Sequence, residues 1–203
     1  MNKRMYVGMF GASLLAAILS AILIGILILI AQEFPGLHRE LASVYPFLFF
    51  ISVLGVLQFV VVQIVFTFIL ILRMWSAIQD GYARTTPGKA IGFLFIPFFN
   101  IYWIFQVWGG FPKDYNNYVE RYQLQLPRLG SGLYVTYPIL ILLTVIPFLG
   151  ILAAVISPFL FLALTARTCD AINKLADAVL ERQRHFAEMN VRPQAVAATA
   201  KAY

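Results

Sequence analysis

The side chains able to do chemistry are few and scattered. The 203 residues include one cysteine and two histidines. Cys169 alone excludes an internal disulfide and a cysteine-built metal site. It closes an apolar run, where cysteine serves as a small packing residue. His38 and His185 have no neighbouring ligand set. The glycines near Lys89 do not make a phosphate loop. Six residues separate Gly81 from Gly88 where the motif has four, and Ala90 stands in place of the required Ser or Thr. Ser13, Ser20, Ser52 and Ser157 lie in runs that contain no histidine to act as their base. Those runs also lack a carboxylate pair for proton relay and a histidine for haem ligation. The expectation is a non-enzyme with no catalytic residue, no cofactor and no metal.

The elements that would carry these residues are set by charge segregation. The chain is 61% hydrophobic and 12% charged, with a mean hydropathy of +0.82. A soluble domain is about a quarter charged. Residues 5–31, 46–72, 90–108 and 133–166 contain no Asp, Glu, Lys, Arg or His. All 15 basic and 9 acidic residues fall between or beyond them. About 20 apolar residues cross a bilayer core as a helix. This pattern excludes a soluble enzyme and a disordered tail, and makes the lipid bilayer the first expected partner. The first run follows Lys3-Arg4, like a signal peptide. It is too long for one, and Leu29 is too large for the position two before Ala31. An uncleaved signal anchor is the expectation.

The net charge of +6 would suggest nucleic acid in a soluble protein. Here the basic residues cluster at 3–4, 73–89 and 167–192, as the positive-inside rule requires, and no nucleic-acid partner is expected. The N-terminus is placed in the cytoplasm, 32–45 outside and 73–89 inside. Two topologies then fit. In one, 90–108 crosses and 133–166 is a single kinked helix. In the other, 90–108 enters and leaves on one side, the chain crosses at 133–149, turns at Pro147–Gly150, and returns at 151–168. The second leaves only Arg39 outside among the basic residues, and charge bias prefers it. Both put the C-terminus in the cytoplasm.

A faint repeat supports it. Ile96-Pro97-Phe98-Phe99-Asn100 echoes Ile146-Pro147-Phe148-Leu149-Gly150, and Arg73-x-x-x-Ala77-Ile78 echoes Arg167-x-x-x-Ala171-Ile172. Thr86-Pro87-Gly88-Lys89-Ala90 leading into Phe95-Ile96-Pro97-Phe98-Phe99-Asn100, with Trp103, Gln106 and the upstream Arg73-x-Trp75, resembles a family of bacterial multispan membrane proteins of unknown function. Lys89 and Phe105 depart from that family's pattern, which often has an aromatic and a proline there. The resemblance implies a bacterial inner membrane and assigns no activity.

The motif also has a physical logic of its own. Thr86 can cap a helix that Pro87 begins. Pro97 then breaks it within an apolar run, and the Asn100 amide could replace the lost backbone bonds. Arg73, Lys89, Pro97, Asn100, Trp103 and Arg167 are the candidate binding or interface residues. A transport site at the broken helix would need a buried charge, and 90–108 has none.

Packing surface is better represented. Gly8-Ala12-Ala16-Ser20 and Ser13-Ala17-Ala21-Gly25 are adjacent i,i+4 rows on the first helix, and such rows let helix backbones approach. Gln58, Gln63 and Thr67 should bond another helix, within the chain or in another subunit. The fold expectation is an all-α polytopic transmembrane protein over residues 1–168. It has four full spans (about 5–31, 46–72, 133–149 and 151–168) and one broken or re-entrant segment at 90–108. Residues 109–132 read as amphiphilic loop, 169–189 as a cytoplasmic amphipathic helix and 190–203 as a weakly structured tail. The functional expectation is a non-catalytic accessory or scaffold subunit of a larger assembly in the inner membrane, with other membrane subunits as partners. The alternative is a small transporter or channel component with its site at the broken helix.

Overall fold

The computed structural model describes residues 3–40 and 43–200, and every regular element among them is helical. Helix α1 (Lys3–Glu33) and helix α3 (Tyr45–Ser76) are joined through a short helix, α2 (Pro35–Glu40). Then follow α4 (Pro87–Gly92), a single 3-10 turn at 93–95, α5 (Phe99–Arg121), α6 (Gly132–Leu143) and α7 (Leu149–Ala200). Three helical segments are long and apolar enough to cross a membrane: Tyr6–Glu33, Tyr45–Ser76 and Leu149–Met189. The fourth apolar helix, α6, has 12 residues, about 18 Å at 1.5 Å per residue.

Helices α1 and α3 run antiparallel along their whole length. Tyr6 meets Phe66, Phe10 meets Phe59, and the Tyr45 hydroxyl donates to the Leu27 carbonyl at 2.9 Å. A Cβ on Gly55 would lie 2.1 Å from the Ser20 hydroxyl oxygen. An alanine there would require the Ser20 hydroxyl to turn away and the contact to give by a few tenths of an ångström. From the small-residue rows, Ser13 and Ala17 are buried and Ala16 is partly covered, whereas Gly8, Ala12, Ala21 and Gly25 are exposed.

The core is concentrated at the charged end of the bundle. Trp75, Trp108, Phe111, Tyr115, Tyr134 and Phe161 are among the largest fully buried side chains. They join the last turns of α3 to α5, α6 and the middle of α7. Helix α5 therefore extends through 109–121, where the sequence alone suggests an amphiphilic loop. Val107, Trp108, Phe111, Tyr115 and Val119 recur at 3–4 spacing and are all buried. Gly109, Gly110 and Pro112 interrupt that signal. The glycines are there for close contact: a Cβ on Gly110 would lie 3.0 Å from Arg84 Cδ, and one on Gly109 would lie 3.2 Å from Val135 Cγ2.

Both Ile-Pro-Phe segments form the same turn. Phe98 and Phe148 have positive φ (61° and 64°). The N–H of Phe99 donates to Pro97 O at 2.7 Å, and that of Leu149 to Pro147 O at 2.8 Å. One step wider, Asn100 N–H donates to Ile96 O at 3.0 Å and Gly150 N–H to Ile146 O at 2.7 Å. Each turn joins two helical arms into a hairpin whose tip phenylalanine is almost fully exposed, 88% at Phe98 and 86% at Phe148. The two hairpins reach different depths. At the first tip, Phe95 packs on Phe68 of α3, five residues before Arg73. In the second, Phe161 packs on Phe10, which reaches Phe59 at the centre of α3. Its tip lies 12 residues further along α7, about 18 Å.

Helix α7 passes from the apolar run through 169–189 and on to Ala200 without a break. Its alanines favour helix. Residues 201–203 lie outside the described residues.

Candidate functional site

The polar residues gather where α3 ends, α5 passes and α7 leaves the apolar run. Two aspartates anchor the loop between α3 and α4 to α5. Asp114, on α5, is 9% exposed. It accepts from the Arg84 backbone N–H at 2.9 Å, and from Arg84 Nε and Nη2 at 3.0 and 2.8 Å. Arg84 also donates to Gln106 Oε1 at 3.4 Å. Asp80 pairs with Arg121, whose guanidinium lies 4.1 Å from the centre of the Tyr82 ring. The space among Asp80, Tyr82, Asp114, Asn117 and Arg121 is about 20 Å³, room for about one water. Each carboxylate already faces an arginine, and no metal-holding group of His, Cys, Asp or Glu occurs among the described residues. The arrangement clamps the loop to α5.

A second clamp holds the segment after α5. Asn116 Oδ1 accepts from Leu129 N–H at 2.8 Å, and its Nδ2 donates to Leu129 O at 2.9 Å. Arg182 of α7 donates to the Tyr122 carbonyl. Between this segment and α7 lies an open groove of about 660 Å³ with Lys174, Asp177, Glu181, Arg182 and His185 on the helix side. These charges are mixed in sign and create no single-sign field. Burial raises the Tyr115 and Tyr118 hydroxyls above the usual tyrosine value, with Tyr122 and Asp80 adding to the shift at Tyr118 and Arg182 opposing it.

The six residues singled out in the sequence are not brought to one place. Thr86 caps α4 as expected, its hydroxyl accepting from the Lys89 N–H at 3.4 Å, and the Lys89 side chain is exposed. Trp103 pins the first hairpin. Its Nε1 donates to the Ala90 carbonyl at 3.1 Å, and its ring stacks on Phe99 and meets Phe93 edge-on. Pro97 and Asn100 are exposed at the tip. The Asn100 amide was expected to replace lost backbone bonds, but it makes no side-chain hydrogen bond among the described residues. The turn closes through its own backbone. Arg73 lines a groove of about 500 Å³ together with Tyr118, Ile172, Leu175, Val179 and Gln183. Arg167 is exposed on α7 and does not line that groove.

The sequence reading missed the Arg84–Asp114 and Asp80–Arg121 pairs. The available signal was Asp114 set among Phe111, Tyr115 and Val119 at helical spacing, since a carboxylate on an apolar face needs a cation. No protein-family model, no curated protein and no solved structure matches the chain.

Proposed function

We propose that the chain is a non-catalytic accessory or scaffold subunit of a larger bacterial inner-membrane assembly, with both termini in the cytoplasm. The observation that carries this reading is how polar and apolar side chains are used. The charged clusters fix the protein's own helices to one another, while the surface left uncovered is apolar and helical along α1 and α3. In a bilayer such a surface is covered by lipid or by other helices, and association depends on packing.

Helices α1 and α3 cross the membrane. The 90–108 hairpin enters and leaves on the cytoplasmic side, because its tip contacts Phe68, about 7.5 Å along α3 from Arg73. The α6–α7 hairpin reaches most of the way along α3 and supplies the two remaining, shorter spans. The transporter alternative requires a polar pathway to Asn100. Asn100 is exposed on an apolar tip and lies 14 residues, about 21 Å along α5, from Asp114.

Purification from native membranes in mild detergent, with identification of co-purifying proteins, tests the proposal. A membrane protein recovered in stoichiometric amount is the expected result. Recovery of the chain without one, combined with saturable solute flux after reconstitution, would replace this reading with the transporter.

A further inference from the structure

Helix α3 carries two glutamines within its apolar run, and the fold treats them differently. Gln63 faces inward, and its Nε2 approaches the Tyr137 hydroxyl at 3.5 Å. Gln58 faces outward. It is exposed and has no hydrogen-bond partner among the described residues. It sits one residue from the centre of the uncharged run 46–72, which places it near the bilayer midplane in the orientation proposed above. Water is absent there, and Gln58 is too far from either surface for its short side chain to reach water.

The residues around it are arranged as a seam. Phe47, Ile51, Leu54, Gln58, Val61 and Val65 follow alternating spacings of four and three, the a/d pattern of a left-handed helix pair. The five apolar members are exposed by 46–62%. A single polar residue inside an apolar a/d seam sets register and partner number in coiled coils. A glutamine amide has both donors and an acceptor, so it can pair with a copy of itself. A two-fold axis along the membrane normal brings each residue opposite its own equivalent at the same depth.

We propose that this face of α3 is the interface with a second copy of the chain, closed by a Gln58–Gln58 hydrogen bond between the copies. The proposal rests on the membrane placement of α3 but not on any other subunit of the assembly. Val60 serves as the control position, since it is nearly level with Val61, 46% exposed, and about 140° around the helix from the seam.

The test uses full-length chains carrying Cys169→Ala and a single new cysteine, oxidised with copper phenanthroline in native membranes. Val61→Cys should give a species of twice 22.9 kDa, and Val60→Cys little. Adding Gln58→Leu should lower the Val61 product about three- to twentyfold, the range for interhelical hydrogen bonds in lipid. Adding Gln58→Asn, which keeps the amide, should retain more of it. Equal products at Val60 and Val61, an adduct of Val61→Cys with a different protein, or a Gln58→Leu chain that cross-links as well as its parent would each overturn the interface. So would absence of product from a chain that stays in carbonate-washed membranes. Release of the chain by carbonate would instead remove the membrane placement, and the interface with it.

Discussion

At the residue scale, the buried hydroxyls separate helpful polar groups from costly ones. Tyr134 and Thr168 share a buried hydrogen bond of 2.8 Å between α6 and α7. Tyr115 is fully buried, and its hydroxyl has no hydrogen-bond partner among the described residues. A buried donor without a partner lowers stability, so Tyr115→Phe should raise it by up to about 1 kcal/mol, read as a higher melting temperature in detergent. The pH dependence has a fixed sign. Burial raises the folded-state pKa of Tyr115, so the stability tied to its proton is complete below the unfolded tyrosine value near pH 10. It falls as pH rises beyond that, and Tyr115→Phe should flatten part of the fall. The candidate residues of the broken helix call for a different pair of measurements. Asn100→Leu should change stability by less than about 0.5 kcal/mol, as for an exposed residue. Trp103→Phe should cost about 1 kcal/mol through the lost bond to Ala90. An Asn100 effect larger than that of Trp103 would mean that the amide supports the turn after all. The sequence made Thr86 legible as a cap because capping is local. It did not reveal which partner Trp103, Asp114 or Gln63 would meet, because those contacts span 13, 30 and 74 positions.

At the element scale, the two Ile-Pro-Phe turns are the clearest case of local sequence setting local structure. Proline cannot donate within a helix, and in both segments the chain reverses direction at the phenylalanine that follows. A positive φ at a residue with a Cβ costs about 1–2 kcal/mol. Phe98→Gly removes that cost, and Phe98→Val raises it by adding a branched Cβ. Both delete the same exposed ring. The glycine form should therefore be more stable than the valine form by about 1–2 kcal/mol, with the same order at Phe148. Equal stabilities would mean that the backbone leaves the positive-φ region without penalty. The first helix shows where sequence pattern falls short. Its two small-residue rows are adjacent and chemically alike, and only the position of α3 and α7 decides which is covered. Ala17 is 8% exposed and Ile26 is 48% exposed. Ala17→Leu should therefore reduce recovery of folded protein far more than Ile26→Leu, measured by size-exclusion yield.

At the scale of the whole molecule, the apolar runs at 5–31 and 46–72 correspond closely to α1 and α3, because an unbroken uncharged run leaves a helix little alternative. The region from 109 onward was less legible. Its helical faces are completed by residues from other elements, and glycine and proline obscure the spacing. The arrangement now makes one topological demand. The Arg84–Asp114 and Asp80–Arg121 pairs bind the loop after α3 to the C-terminal half of α5. Residues 80–84 and 114–121 must therefore lie on the same side of the membrane. With 73–89 in the cytoplasm, as proposed from the positive-inside bias, Asn117 is expected there too. The alternative with 90–108 crossing would place Asn117 outside and part both pairs across the bilayer. A cysteine at Asn117, which is exposed, in a Cys169→Ala background should stay unlabelled by an impermeant maleimide in intact cells. It should react once the membrane is permeabilised. Gly36→Cys in α2, exposed and with open space around its Cβ, is the control that should label from outside. Strong labelling at position 117 in intact cells would require 90–108 to cross, with both ion pairs broken in the membrane.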